Sequence, residues 1–208
     1  MVDLLARLGS SKVVAIVRAA APGVAGAVSV ALVEAGIDVV EIPLTTPDAL
    51  EAIAWVRDRV GDRVLVGAGT VLTVADVAAV AAAGGDFAVT PAVTAAVGEC
   101  ARWGLPVLAG AYTPTEVVAA VEAGATAVKL FPAGTGGLAH LKALRDPLPG
   151  VPFVPVGGVT VGLAADYLDA GAVAVGVGGP LVGDAVRGGS LGELRARAAE
   201  FVRLRDMP

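Results

Sequence analysis

Cysteine and histidine are almost missing from this chain: Cys100 and His140 are the single examples of each among 208 residues. One thiol cannot close an intrachain disulfide, and one Cys with one His cannot assemble a zinc cluster. Neither a disulfide-stapled scaffold nor a zinc centre is expected, and no bound metal. Aromatic residues make up only 4%, so the core must be built from Ala, Val, Leu and Ile. Positive charge is also scarce, with 15 Lys and Arg against 20 Asp and Glu and a net charge of -5. No basic cluster stands out to hold a polyanion, which argues against nucleic acid as a partner.

A membrane span is lacking too. Mean hydropathy is +0.78, and residues 147–165 run for 19 positions without a charge. That run nevertheless contains Pro147, Pro149, Pro152 and Pro155 and four glycines, which break any spanning helix. The opening MVDLLARLGSSK puts charges ahead of any long apolar run, so no secretory leader is expected. A reducing cytoplasm fits this cysteine usage.

What the chain has in plenty is apolar residues, at 56%, and glycine, at 28 positions. That is ample for one core, and a single domain over residues 1–208 is expected. Four segments repeat one pattern: EAGIDVVEIP, AAGGDFAVTP, EAGATAVKLF and DAGAVAVGVG. Each reads as a helix end, a glycine stop and a buried strand, with Gly36, Gly84, Gly124 and Gly171 as the stops. Intervening strands fit VVAIVR, VLVGAGT, PVLAG and FVPVGG. Eight continuously apolar strands alternating with Ala-rich helices imply a parallel sheet, closed most simply as a (β/α)8 TIM barrel. A doubly wound open sheet is the alternative. Neither GxGxxG after the first strand nor GxxxxGK[ST] is present.

In such a barrel chemistry gathers where the strands end. There the sequence offers Arg18, Glu41, Thr70, Thr90, Pro91 and Lys129, and the pairs Gly157-Gly158 and Gly178-Gly179. Lys129 interrupts the apolar run AVKLFP. An inward lysine there would be partly desolvated, which favours the neutral amine, and a neutral amine can attack a carbonyl to form a Schiff base. The plain alternative is a lysine that points outward or snorkels. Glu41 interrupts VVEIPL in the same way and could shuttle protons beside the amine, or merely pair with Lys129 or Arg18. The glycine pairs follow strands seven and eight, the usual phosphate position of this fold, where backbone N–H groups bind an anion. Arg18 could bind a carboxylate or phosphate. His140 reads as a helix residue, not a catalyst. An isomerase or epimerase acting through Glu41 without covalent attachment would share most of these residues.

The motifs VVAIVR, VVEIPLTTP, GAGTVL, AVTPAV, AGATAVKLFPA, VPVGGV and AVGVGGPLV, in this order, resemble those of the class I 2-keto-3-deoxy-6-phospho-aldonate aldolases. The resemblance covers nearly the whole chain. It implies a trimeric barrel that needs no cofactor and cleaves a phosphorylated 2-keto acid sugar to pyruvate and glyceraldehyde 3-phosphate. It also implies Lys129 as the Schiff-base lysine and Glu41 as the general acid and base. Arg18 and Thr70 would lie near the pyruvyl carboxylate, Pro91 and Phe131 would line that pocket, and Gly157, Gly158, Gly178 and Gly179 would hold the phosphate. Glu41-Ile42-Pro43-Leu44 and Val156 are closer to the galactonate branch than to the gluconate and hydroxyglutarate branch, whose activities stay open as alternatives. Thr45-Thr46, Ala109-Gly110 and Gly179-Pro180 depart from the family pattern, and Pro180 brings neither an N–H nor a hydroxyl to the phosphate end.

Overall fold

In the computed structural model, which describes residues 3–207, the four glycine stops share one geometry. Gly36, Gly84, Gly124 and Gly171 all have positive φ. At each stop the glycine N–H donates to the carbonyl three residues back, and the next N–H reaches five back, as in Gly36 to Val33 and Ile37 to Leu32. This double closure satisfies the last helical carbonyls and turns the chain into the following strand. Helix starts are chosen as locally: Thr73 with Asp76 and Thr113 with Glu116 form capping boxes.

The elements run α1 (Leu4–Ser11), β1 (Val13–Ile16), α2 (Val24–Glu34), β2 (Val39–Pro43), α3 (Ala49–Val60), β3 (Leu65–Gly69), α4 (Val74–Ala82) and β4 (Ala88–Val89). They continue with α5 (Ala95–Trp103), β5 (Val107–Ala111), α6 (Pro114–Glu122), β6 (Ala127–Leu130), α7 (Ala133–Arg145), β7 (Phe153–Pro155), α8 (Val161–Asp169) and β8 (Val175–Val177). Two further helices, α9 (Gly179–Val182) and α10 (Leu191–Val202), complete the last unit. The strands pair in the order β7-β6-β5-β4-β3-β2-β1-β8. Each sequential pair is parallel, as is β1 with β8. A parallel bridge from Val156 to Gly176 joins the two ends and closes the ring. The fold is a (β/α)8 barrel, and the open-sheet alternative falls on that bridge.

Alternation along each strand divides the apolar residues into two cores. One lies between sheet and helices and holds Val40, Ile42, Val66, Val128 and Leu130. The other fills the barrel, with Val14, Val39, Leu65, Phe87, Leu108, Ala127, Val154 and Ala174. Leu4 and Leu8 of α1 belong to this second core, so the helix before β1 plugs the amino-terminal end of the barrel. Leu8 is fully buried, and Leu8→Ala should lower unfolding free energy by about 2–5 kcal/mol. Urea denaturation checks this, with turnover unchanged because the plug lies at the end away from the strand carboxyl termini. Among the described residues no helix is long and apolar enough to cross a membrane.

Candidate active site

Two charged side chains lie inside the barrel. Ala127 faces the interior, so the pleat turns Lys129 the same way, and Val39 does the same for Glu41. Glu41 is 3% exposed and Lys129 7%, and among the described residues no other charged residue is buried over backbone and side chain together. Three strands separate β2 from β6 by either route around the ring, so the carboxylate and the ammonium enter from opposite walls. They form no direct ion pair with each other, nor is either in a salt bridge with another described residue. Burial pushes the Glu41 pKa above the ordinary glutamate range, and attraction to Lys129 and then to Arg18 only partly offsets this. A buried amine and a separate proton acceptor can therefore face one ligand between them.

The other strand-end residues form the rim. Strand β1 stops at Ile16, short of Arg18, which is exposed and donates from its guanidinium to the Thr45 hydroxyl on the segment after β2. Thr70 follows β3 with φ of 57, a left-handed conformation that is rare for a β-branched residue and concentrated at functional positions. Pro91 is half-buried, and its backbone crowds the space over Gly110. The buried Thr90 accepts a hydrogen bond from the Gly110 N–H at 3.2 Å, tying β4 to β5. Phe131 is 40% exposed, and the Lys129 Nζ lies 5.2 Å from its ring centroid, so the ring covers the ammonium from the solvent side.

At the far side of the mouth the ends of β7 and β8 lie together. Val156 is buried, and its side chain occupies the space over Gly176. Gly157 and Gly158 have φ of 104 and 76, which only glycine adopts at little cost. Gly178 and Gly179 open α9. The N–H of Gly157 is used in the bridge to Gly176, whereas those of Gly158, Gly178 and Gly179 donate to no backbone acceptor among the described residues, leaving free donors of the kind that bind anions.

The KDPG and KHG aldolase family model matches residues 4–194. The chain belongs to that family. A 2-dehydro-3-deoxy-6-phosphogalactonate aldolase of Escherichia coli (strain K12) is 39% identical over 193 residues, covering 91% of this chain and 92% of the relative. A 2-dehydro-3-deoxy-phosphogluconate aldolase of Treponema pallidum (strain Nichols) is 41% identical over 140 residues, 66% of each chain. The solved native KDPGal structure matches with a TM-score of 0.86 at 38% identity, covering 92% of both chains. As an aldolase, the enzyme is a carbon–carbon lyase.

The sequence pattern brings all of the expected residues of this aldolase to one mouth, but it misses what holds them. Thr45 appears in the motif only as a departure, yet it is the hydrogen-bond partner of Arg18. Tyr112, just past β5, stacks on His140 of α7 with ring centroids 4.4 Å apart, and His140 Nε2 lies 2.7 Å from the Tyr112 carbonyl oxygen. His140 thus sits on a helix as expected, with a tethering contact that no local pattern announces. Gly69 receives the Glu41 carboxylate over its Cα; only the inward parity of β3 could have pointed to it.

Proposed function

We propose that the chain is a class I aldolase that cleaves 2-dehydro-3-deoxy-6-phosphogalactonate reversibly to pyruvate and D-glyceraldehyde 3-phosphate. The observation that carries this is the buried pair of Lys129 and Glu41, facing each other from opposite walls without a direct ion pair. Lys129 Nζ attacks the C2 ketone, and the carbinolamine loses water to give a protonated imine. Glu41, directly or through water, takes the proton of the C4 hydroxyl. The C3–C4 bond breaks, its electrons pass into the imine to leave an enamine, and the aldehyde phosphate departs. Protonation at C3 and addition of the water lost earlier release pyruvate and free the amine.

Arg18 and Thr70 hold the pyruvyl carboxylate, and Pro91 and Phe131 wall that end of the pocket. Gly157, Gly158, Gly178 and Gly179 form the phosphate end, with the free N–H groups of Gly158, Gly178 and Gly179 donating to the anion, which matters more here because Pro180 offers neither N–H nor hydroxyl. The enzyme works as a homotrimer in the cytoplasm, as the family resemblance implies. No side chain at these positions calls for a cofactor.

Identity alone does not choose between the C4 epimers, since relatives named for each are about equally similar. Coverage favours the galactonate name, and so does Val156, whose apolar side chain lies at the sugar end beside the glycine pairs. A threonine there would offer a hydroxyl to the C4 oxygen. Comparing kcat/KM for the two phosphorylated epimers tests the assignment. The parent should prefer the galactonate substrate, and Val156→Thr should move the ratio toward the gluconate epimer by roughly 10- to 100-fold. A parent that prefers the gluconate epimer would reverse the assignment.

A further inference from the structure

Four inward-facing strand positions carry no side chain: Gly67 and Gly69 on β3, Gly110 on β5 and Gly176 on β8. In three of them packing occupies the space a Cβ would take. The Phe87 ring and carbonyl fill it at Gly67, the Pro91 backbone at Gly110 and the Val156 side chain at Gly176. At Gly69 the occupant is a functional group. A Cβ there would overlap Glu41 Oε1 and stand 2.7 Å from Cδ and 2.9 Å from Cγ. We propose that Gly69 is a positioning residue for Glu41, its missing side chain forming the slot in which the carboxylate lies against β3 and faces the amine.

Three features make the slot specific. Gly69 is not among the glycines with positive φ, so alanine would suit the backbone and only the side-chain overlap opposes it. The backbone cannot swing away, because the Gly69 carbonyl accepts the Leu44 N–H at 2.8 Å and the β2–β3 ladder pairs Pro43 with Gly69. Glu41 itself sits on that ladder opposite Gly67. With both backbones held, an added methyl must be accommodated by moving the carboxylate. The inference rests on the acid–base role proposed for Glu41.

A double-mutant cycle tests it. Gly69→Ala should lower kcat by roughly 100-fold, the penalty expected for a displacement of about 1 Å, with KM nearly unchanged. It should also shift the acid limb of the pH–rate profile as the carboxylate leaves its environment. In a Glu41→Ala background Cγ, Cδ and both oxygens are gone from the slot, so the same change should cost the residual rate no more than about threefold. An equal loss in both backgrounds, or no loss in the first, overturns the proposal. If Gly69→Ala does not fold, Gly69→Ala with Glu41→Ala decides: recovery of folding supports the slot, and failure of both overturns it. Full kcat in Glu41→Gln would sink the acid–base reading alone. The slot would then be judged by melting temperatures, where coupling between Gly69→Ala and Glu41→Ala supports it and additivity overturns it.

Discussion

Lys129→Met ends turnover: kcat falls by roughly 10⁴- to 10⁶-fold, the scale of removing a covalent nucleophile. Borohydride with pyruvate, which adds mass at position 129 in the parent, then adds none. Methionine keeps the length and apolar stem of the lysine, so the lost activity cannot be assigned to a hole in the barrel interior beside Ala127 and Val154. It also removes a charge from a site only 7% exposed, so the variant should melt no lower than the parent. That separation of stability from activity distinguishes a nucleophile from a structural cation. An enzyme that merely used the ammonium as a counter-ion would keep much of its rate in Lys129→Met, and retained turnover would exclude the imine mechanism. Phe131 gives a useful internal comparison, because its ring lies beside Nζ but forms no bond in the reaction.

The barrel could be read from the sequence because the signals that define it are local. A helix end, a glycine in a left-handed conformation and a buried strand lie within about ten residues, and the hydrogen-bond closure repeats four times. Glu41 and Lys129 were legible for a related reason: a charge in an otherwise apolar strand stands out, and a period of two says which neighbours share its face. Strand ends were less legible. VVAIVR and VLVGAGT suggest strands reaching Arg18 and Thr70, whereas the strands end at Ile16 and Gly69. At the mouth, Arg18 turns to Thr45 and Thr70 takes a left-handed backbone, and neither depends on hydropathy. The plug formed by Leu4 and Leu8 and the slot at Gly69 were hidden because they depend on partners distant in sequence. DLLARLGS has no local mark of a barrel plug, and within the expected strand VLVGAGT nothing singles out Gly69 until β2 is laid beside β3.

Glu41→Gln should lower kcat by roughly 10²- to 10⁴-fold, the range of a positioned acid–base group, and it should change two pH profiles in ways a structural glutamate would not. Burial, the largest influence on this carboxyl, raises its pKa above the ordinary glutamate range despite the attractions of Lys129 and Arg18. Removing the C4 hydroxyl proton requires the carboxylate, so the parent rate should fall as pH drops through that raised value. Glu41→Gln has no group to titrate there and should lose this limb. Stability runs the other way. A group whose folded pKa is raised contributes stability that is fully present below its unfolded pKa and lost as pH rises through the folded value. Above the unfolded pKa the parent therefore bears the cost of burying a group that ionises freely in the unfolded chain, whereas the glutamine is neutral throughout. The variant should melt above the parent at neutral pH, and the gap should close as pH falls below the ordinary glutamate range. Melting curves across that interval check the sign. A gap that does not vary with pH would mean that Glu41 titrates alike in the folded and unfolded chain, and that burial does not raise its pKa.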